Sequence, residues 1–326
     1  TVSVVDNVSP DVTAPANIIV AATDASGTAN TVAAINAFLN AATATDAIDG
    51  VRTVTHDAPV TFPLGLITVT FSATDLSANT GQAQATVTIT DQTPPVISLI
   101  GASSMTLNVG DIYSDPGASV SDNVDTGLIA SVSGSVNTAI VGLYTLTYNA
   151  SDAAGNAAII ATRSVSVQDN AAPVVTPPGN ITVAATDASG TANTVTPIAS
   201  FLASVTATDA IDGVRTVTHD APVTFPLGIT TVTFSATDLS ANTGQAQATV
   251  NITDQTPPVI SLIGVSSMTL NVGDIFSDPG HTVTDNVNVG LSATVTGSVN
   301  TAAVGTYPLN YNVSDTAGNV ATQITR

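Results

Sequence analysis

A repeat constrains this chain more than any other feature. DQTPPVISLIG begins at residue 91 and again at 254, TDAIDGVRTVTHDAPVTFPLG at 45 and 208, and MTLNVGDI at 105 and 268. Each offset is 163, half of the 326 residues. A chain that copies itself at fixed spacing folds as a row of similar modules rather than around one large core. Each period holds two unlike halves, a type 1 half (Pro10 to Asp91) and a type 2 half (Gln92 to Asp169). The expected modules are therefore 10–91, 92–169, 170–254 and 255–326, preceded by a stub, 1–9. The two type 1 copies differ at 14 of 82 positions, seven of them within 33–42, so the duplication is recent.

The pattern within each half is that of strands. Val69, Phe71 and Ala73 alternate with Thr and Ser, DLSANTG turns the chain, and Ala85, Val87 and Ile89 alternate again. Tyr144, Leu146, Tyr148 and Ala150 do the same in type 2 before SDAAGN. Such runs describe hairpins with one buried face. Several short strands with Gly, Pro and Asn-Asp turns favour an antiparallel sandwich. The expected fold is all-β: four tandem Ig-like antiparallel β-sandwiches in an elongated rod. Each type 1 module adds a short helix, at 33–41 and at TPIASFLAS, with Thr196 as N-cap and Pro197 as first residue. The junctions DNVSP, DQTPP and DNAAP are short and stiff.

Composition removes several functions. All 24 acids are Asp, all four bases are Arg, and the net charge is −20. That charge repels nucleic acid and anionic membranes. With no Cys there are no disulfides, thiolate sites or Cys nucleophile. No apolar run approaches the length of a membrane span. The opening TVSVVDNVSP does not read as a signal peptide, but as an internal piece of something longer.

Residues 2–6 (VSVVD) match 165–169 (VSVQD), the last strand of a type 2 module, whereas the fourth module stops at Arg326 before its own copy of that strand. Residues 1–9 thus read as the last strand of a preceding Ig-like module. One explanation is a periodic array cut at an arbitrary register. The other is a fibre subunit that polymerises by donor-strand exchange between strand 1–7 and the open last module of a neighbour.

Type 1, with NITVAATDASG, FLASVTATDAIDG, FPLGITTVTFSATD and TITDQTPP, resembles the hyalin repeat (HYR) family. Type 2, with PPVISLIG, LNVGD, SDPG, SDNVD and YNASDAAGN, resembles the bacterial Ig-like domain of surface proteins and some pesticidal crystal toxins. The resemblance implies Ig-like sandwiches in secreted or surface-attached bacterial proteins, commonly adhesin stalks. It also implies that Tyr144 and Tyr307 form tyrosine corners.

In such a sandwich the N-terminal junction, the B–C loop and the F–G loop share one pole. Type 1 would then gather Asp6, Asp46, Asp49, Asp75 and Asn79, and type 2 Asp91, Asp122, Asn123, Asp125, Asp152 and Asn156. The later copies would gather Asp169, Asp209, Asp212, Asp238 and Asn242, then Asp254, Asp285, Asn286, Asp315 and Asn319. Asn288 stands where the earlier copy has Asp125, so the fourth group should bind most weakly. Two carboxylates about 4 Å apart repel by roughly 4 kcal/mol at an effective dielectric of 20. A cation removes that cost, and an all-oxygen, irregular donor set suits Ca²⁺. The bland explanation is that Asp and Asn cap turns, which accounts for D-x-x-x-N but less well for an Asp at each junction.

Other constellations point to structure. Asp111, Asp115, Asp274 and Asp278 suit turns better than a second ion, as do Asp24 and Asp187. His56 precedes Asp57, and His219 precedes Asp220, but strand neighbours point to opposite faces and make no triad. No Glu exists for an acid/base pair, and the glycines form no phosphate loop. Phe71, Phe234, Tyr148 and Tyr311 fall on apolar faces, which removes the aromatics a sugar site needs. The chain reads as a non-enzymatic extender segment of a secreted or cell-surface adhesin or filament, stiffened by Ca²⁺. Its partners would be neighbouring copies of the array and a host or cell-surface ligand. A binding module on a type 1 face is the remaining alternative.

Overall fold

The computed structural model describes residues 1–326. It divides into two compact units, Thr1–Gln168 and Asp169–Arg326, each holding one type 1 and one type 2 half. Strands dominate, and the only helices are Ala33–Leu39 and Thr196–Ala203.

In the first unit, Asp11–Thr13, Thr43–Asp46 and Gly50–Arg52 form one sheet, and Ile18–Ala21, Thr80–Thr90, Gly65–Thr74 and Val54–His56 form the other. The long hairpin pairs Val69 with Ala85 and Phe71 with Ala83. Its period-2 pattern turns Val69, Phe71, Ala73, Ala85, Val87 and Ile89 into the core, and Thr, Ser and Gln outward. Three pairings depart from the antiparallel expectation: Ser104–Asn108 runs parallel to Ala161–Gln168, Ile181–Ala184 to Thr243–Thr253 and, in this sandwich, Ile18–Ala21 to Thr80–Thr90. The chain crosses between sheets around Pro15, which has no N–H to leave unpaired, and so meets the last strand running the same way. Asn17 seals the crossing by accepting the Thr86 amide at 2.9 Å.

The helix Ala33–Leu39 buries Ile35, Phe38 and Leu39. Phe38 meets Phe71 edge-on, with centroids 5.7 Å apart. Its copy starts one residue earlier than expected. Val195, extended at ψ 132, occupies the N-cap without a side-chain bond, so Thr196 is helical rather than capping. Pro197 lies in the first turn, where a missing N–H costs nothing.

The type 2 half of this unit pairs Val96–Leu99 with Ala118–Ser121, and Ser104–Asn108 with Ala161–Gln168, Gly142–Asn149 and Ser131–Ser133. Its core holds Leu146, Tyr148, Val165 and Val167 around a fully buried Arg163. The Tyr144 hydroxyl donates to the Ile140 carbonyl at 2.9 Å, and Tyr307 to Ala303 at 3.0 Å, the expected tyrosine corners.

The second unit repeats the plan from Val174–Thr176 to Thr243–Thr253. Its type 2 half pairs Val259–Leu262 with His281–Thr284, and Asn310–Asn312 with Thr294–Thr296 and Ile324–Thr325. Residues 267–271, the counterpart of Ser104–Asn108, form no strand. Residues 1–9 lie outside any sheet, with Val2 and Val4 96% and 94% exposed.

Candidate metal sites at the sandwich poles

Each site begins with local hydrogen bonding that the motif dictates. In TDAIDG, one oxygen of Asp46 accepts the amides of Ile48 and Asp49, both at 2.8 Å. Gly50 closes the turn at φ 73, a left-handed conformation that glycine takes without penalty. Asp49 is thereby aimed across the pole, where it accepts the Leu76 amide at 2.8 Å. Asp75 accepts the Ser77 and Asn79 amides at 2.9 and 2.7 Å, and the Asn79 side chain at 2.6 Å. The same Asn79 amide group donates to the Asp6 carbonyl at 3.2 Å, fixing the incoming chain. Asn156, Asn242 and Asn319 hold Asp91, Asp169 and Asp254 in the same way, at 3.3, 3.0 and 3.2 Å.

The result is four sets of three carboxylates whose oxygens lie within 4.8 Å of one another: Asp6, Asp49 and Asp75; Asp91, Asp122 and Asp125; Asp169, Asp212 and Asp238; Asp254, Asp285 and Asp315. The junction and the B–C loop meet at each pole, and the F–G loop joins them, through its own Asp in three sets and through the Ala153 amide on Asp125 at 2.7 Å in the second. Three expected acids stand outside these triplets. Asp152 accepts the Asn156 amide and side chain, as Asp75 does from Asn79, and the second B–C acid, Asp125, stands in the second triplet instead. Asp46 and Asp209 shape their loops with one oxygen, while the other is buried and unpartnered. In the fourth group Asn288 replaces Asp125 and accepts the Thr316 amide at 3.0 Å. The Asn79-type residues tie the incoming chain to the F–G turn through Nδ2.

Burial would push the Asp75 carboxyl up. Hydrogen bonds from Asn79 and Ser77, with the charge of Arg52, outweigh it and hold the group below the ordinary carboxylate range. The amides of Asp125 and Val124 lower Asp122, and those of Asp212 and Ile211 lower Asp209. For Asp315, burial again works upward and is outweighed by Asn319. These acids stay ionised at neutral pH.

The donor chemistry fits a hard cation. Every member of the sets is a carboxylate, and none of the three His joins one. Oxygen-only sets suit Ca²⁺ or Mg²⁺ over transition metals. Buried oxygens without a partner recur at every pole: Asp6 and Asp46; Asp91, Asp122 and Asn123; Asp169 and Asp209; Asp254, Asp285 and Asn286. Asp169 is only 4% exposed. A buried, unpaired carboxylate oxygen costs free energy unless a ligand meets it.

The remaining candidates resolve into structure. His56 is exposed and accepts the Ala58 amide, while Asp57 accepts the Thr70 amide at 2.7 Å. Asp111 caps its own turn at the Asn108 amide. Asp115 has a role the sequence reading missed, as the counter-ion of Arg163, 3.2 Å away. The signal was present, since Arg163 shares its strand face with Val165 and Val167.

Comparison with known proteins follows the same division. Residues 97–167 and 260–326, the two type 2 halves, match the family model described as bacterial surface protein, Ig-like domain. The chain is 31% identical to hyalin of Lytechinus variegatus over 341 residues, covering 97% of this chain and 61% of that protein. It is 30% identical to hyalin of Strongylocentrotus purpuratus over 253 residues, covering 73% of this chain and 19% of that protein. The chain thus spans less than two thirds of either relative. Among solved structures, the protocadherin gammaB7 EC3-6 cis-dimer is 14% identical, with a TM-score of 0.33, covering 95% of this chain and 98% of that one. The family match of the type 2 halves and the sheets above describe a tandem array of Ig-like β-sandwiches.

Proposed function

We propose that this chain is an extracellular or cell-surface extender segment of an adhesin or filament, rigidified by Ca²⁺ where its modules join. In this reading, modules 10–91 and 170–254 are of the hyalin-repeat type, modules 92–169 and 255–326 are of the bacterial surface type, and residues 1–9 are the last strand of a preceding module. The partners are neighbouring copies of the array and a host or cell-surface ligand. The observation that carries the reading is the recurrence, at all four poles, of three clustered carboxylates with buried unpartnered oxygens. At 4.8 Å, two charges repel by roughly 3.5 kcal/mol at an effective dielectric of 20, and a divalent ion turns that cost into binding. Four ions would reduce the formal charge from −20 to −12. Isothermal titration of Ca²⁺ into the metal-free chain should release or absorb heat and raise the melting temperature. No heat, with a melting temperature unchanged by chelator, sinks the reading.

A second reading, donor-strand exchange, is favoured by one observation. A groove of about 510 Å³ runs between Met268, Leu270, Phe276, Val299, Tyr307 and Leu309. In the first unit the corresponding Met105 and Leu107 pair with Val165 and Val167, residues that the exposed Val2 and Val4 match. Sedimentation of the 326-residue chain tests this reading. Head-to-tail oligomers abolished by Val2→Asp with Val4→Asp support it, and a monomer at all concentrations removes it.

A further inference from the structure

The two kinds of pole differ at one loop position. Type 1 has Asp46-Ala47-Ile48-Asp49, with Ala210 as the later copy of Ala47; type 2 has Asp122-Asn123-Val124-Asp125, with Asn286 as the later copy of Asn123. The Asn123 amide donates to the carbonyl of Ala22, in the type 1 sandwich of the same unit, at 3.0 Å. Asn286 reaches Ala185 in the same way, at 2.9 Å. Ala22 is itself a core residue whose own amide continues the pairing to Thr90 at 2.9 Å. Next to the amide, Val124 packs on the type 1 core, as Val287 does in the second unit. The type 1 counterpart of Val124, Ile48, is 67% exposed.

Each of these amides is satisfied on one side only. The Nδ2 holds Ala22 or Ala185, whereas the Asn123 and Asn286 Oδ1 atoms are buried and unpartnered, as are oxygens of the adjoining Asp122 and Asp285. A buried, unpartnered amide oxygen, one residue along the loop from the Asp122 or Asp285 carboxylate of a triplet, is a Ca²⁺ donor of ordinary kind. We infer that Asn123 and Asn286 are the coupling residues of the type 2 poles: Oδ1 ligates the cation while Nδ2 grips the preceding sandwich, so that binding the ion locks the two sandwiches of a unit together. Type 1 poles carry Ala at this position, so an ion there holds the incoming chain and has no such grip. This inference rests on the calcium reading above.

The test uses the full chain and Ca²⁺ alone. Titration of Asn123→Ala with Asn286→Ala should weaken two of the four sites by roughly tenfold and leave the other two unchanged. Asn123→Asp with Asn286→Asp keeps an oxygen ligand but cannot donate to the Ala carbonyls. It should retain calcium affinity while the melting of type 1 and type 2 halves, coincident in the wild type with calcium, separates. All five Tyr lie in type 2 halves, so tyrosine fluorescence against far-UV circular dichroism reads that separation. Calcium isotherms unchanged in the Ala variant overturn the ligand role, and coincident melting in the Asp variant overturns the grip. No calcium heat in the wild type overturns the underlying reading instead.

Discussion

The two kinds of sandwich close their cores by different means. Type 1 uses hydrocarbon: Ile35 and Phe38 on the helix, with Phe62, Phe71, Val69 and Ile89 from the sheets, are all at or near zero exposure. Type 2 has no helix and few large apolar residues inside. At its centre lies Arg163, fully buried, donating to the carbonyls of Ile100, Ala102 and Gly117 and, at 3.1 Å, to the Tyr148 hydroxyl. Tyr148 in turn donates to Asp115 at 2.6 Å, and the guanidinium lies 5.9 Å from the Tyr148 ring centroid. The first type 2 module, short of apolar volume, is thus held by a well-partnered cation. An apolar core tolerates repacking, whereas such a network fails when one member is removed.

The largest expected effect tests that difference. Arg163→Ala leaves Asp115 without its counter-ion and the Ile100 and Ala102 carbonyls without a donor, and should cost about 3–5 kcal/mol. Tyrosine fluorescence should show the first type 2 half unfolding well before the rest. Next, Phe38→Ala removes a ring from the type 1 core and should cost about 3 kcal/mol or more. In that variant far-UV signal should be lost early while tyrosine fluorescence holds. Equal loss of both signals in either variant would mean that the two halves do not melt separately.

Acid should weaken the type 2 cores. Burial raises Asp115, but the Tyr148 hydroxyl, the Gly117 amide and the Arg163 charge outweigh it and hold its carboxyl below the ordinary value of 3.8. Asp278 is lowered likewise, with burial outweighed by Gly280, Tyr311 and Arg326. A carboxyl whose folded pKa lies below its unfolded one contributes stability at pH above about 4, and loses it as pH falls through the folded value. The tyrosine-reported melting temperature should therefore stay level from neutral pH to about 5 and fall below about 4. A tyrosine signal that held its melting temperature through that window would deny the Asp115 and Asp278 carboxylates their part in the type 2 cores.

The alternating Val, Phe and Tyr residues exposed the sheets to sequence reading because a strand buries every second side chain whatever lies across from it. The poles were legible for a related reason: a 163-residue repeat places the same Asp at the same loop each time. Arg163 was not read because its alternation with Val165 and Val167 marks an inward face but names no counter-ion. Its partners, Asp115 and three carbonyls, come from distant turns. The parallel pairing of Ile18–Ala21 was missed because period-2 patterning fixes which face is buried and leaves strand direction open. The roles within each pole also escaped. Asn79 and Asp75 are separated by one turn, and only the fold reveals that Asn79 spends its amide on Asp6.

The smallest effect concerns that turn. Type 2 writes it DAAGN and DTAGN, with Gly155 and Gly318 both at φ 93; type 1 writes it DLSAN, with Ala78 at φ 69 and Ala241 at φ 70. A left-handed alanine costs about 1–2 kcal/mol in backbone strain. The hydrogen bonds that Asp75 takes from Ser77 and Asn79 hold it there. Ala78→Gly with Ala241→Gly relieves the strain but adds freedom to the unfolded chain, so each site should gain no more than about 1 kcal/mol. Chemical denaturation followed by far-UV circular dichroism should show that gain in the type 1 halves alone. A loss of stability would mean that the freedom added to the unfolded chain and any contact of the alanine methyl together outweigh the strain, and that the two turns are not equivalent after all.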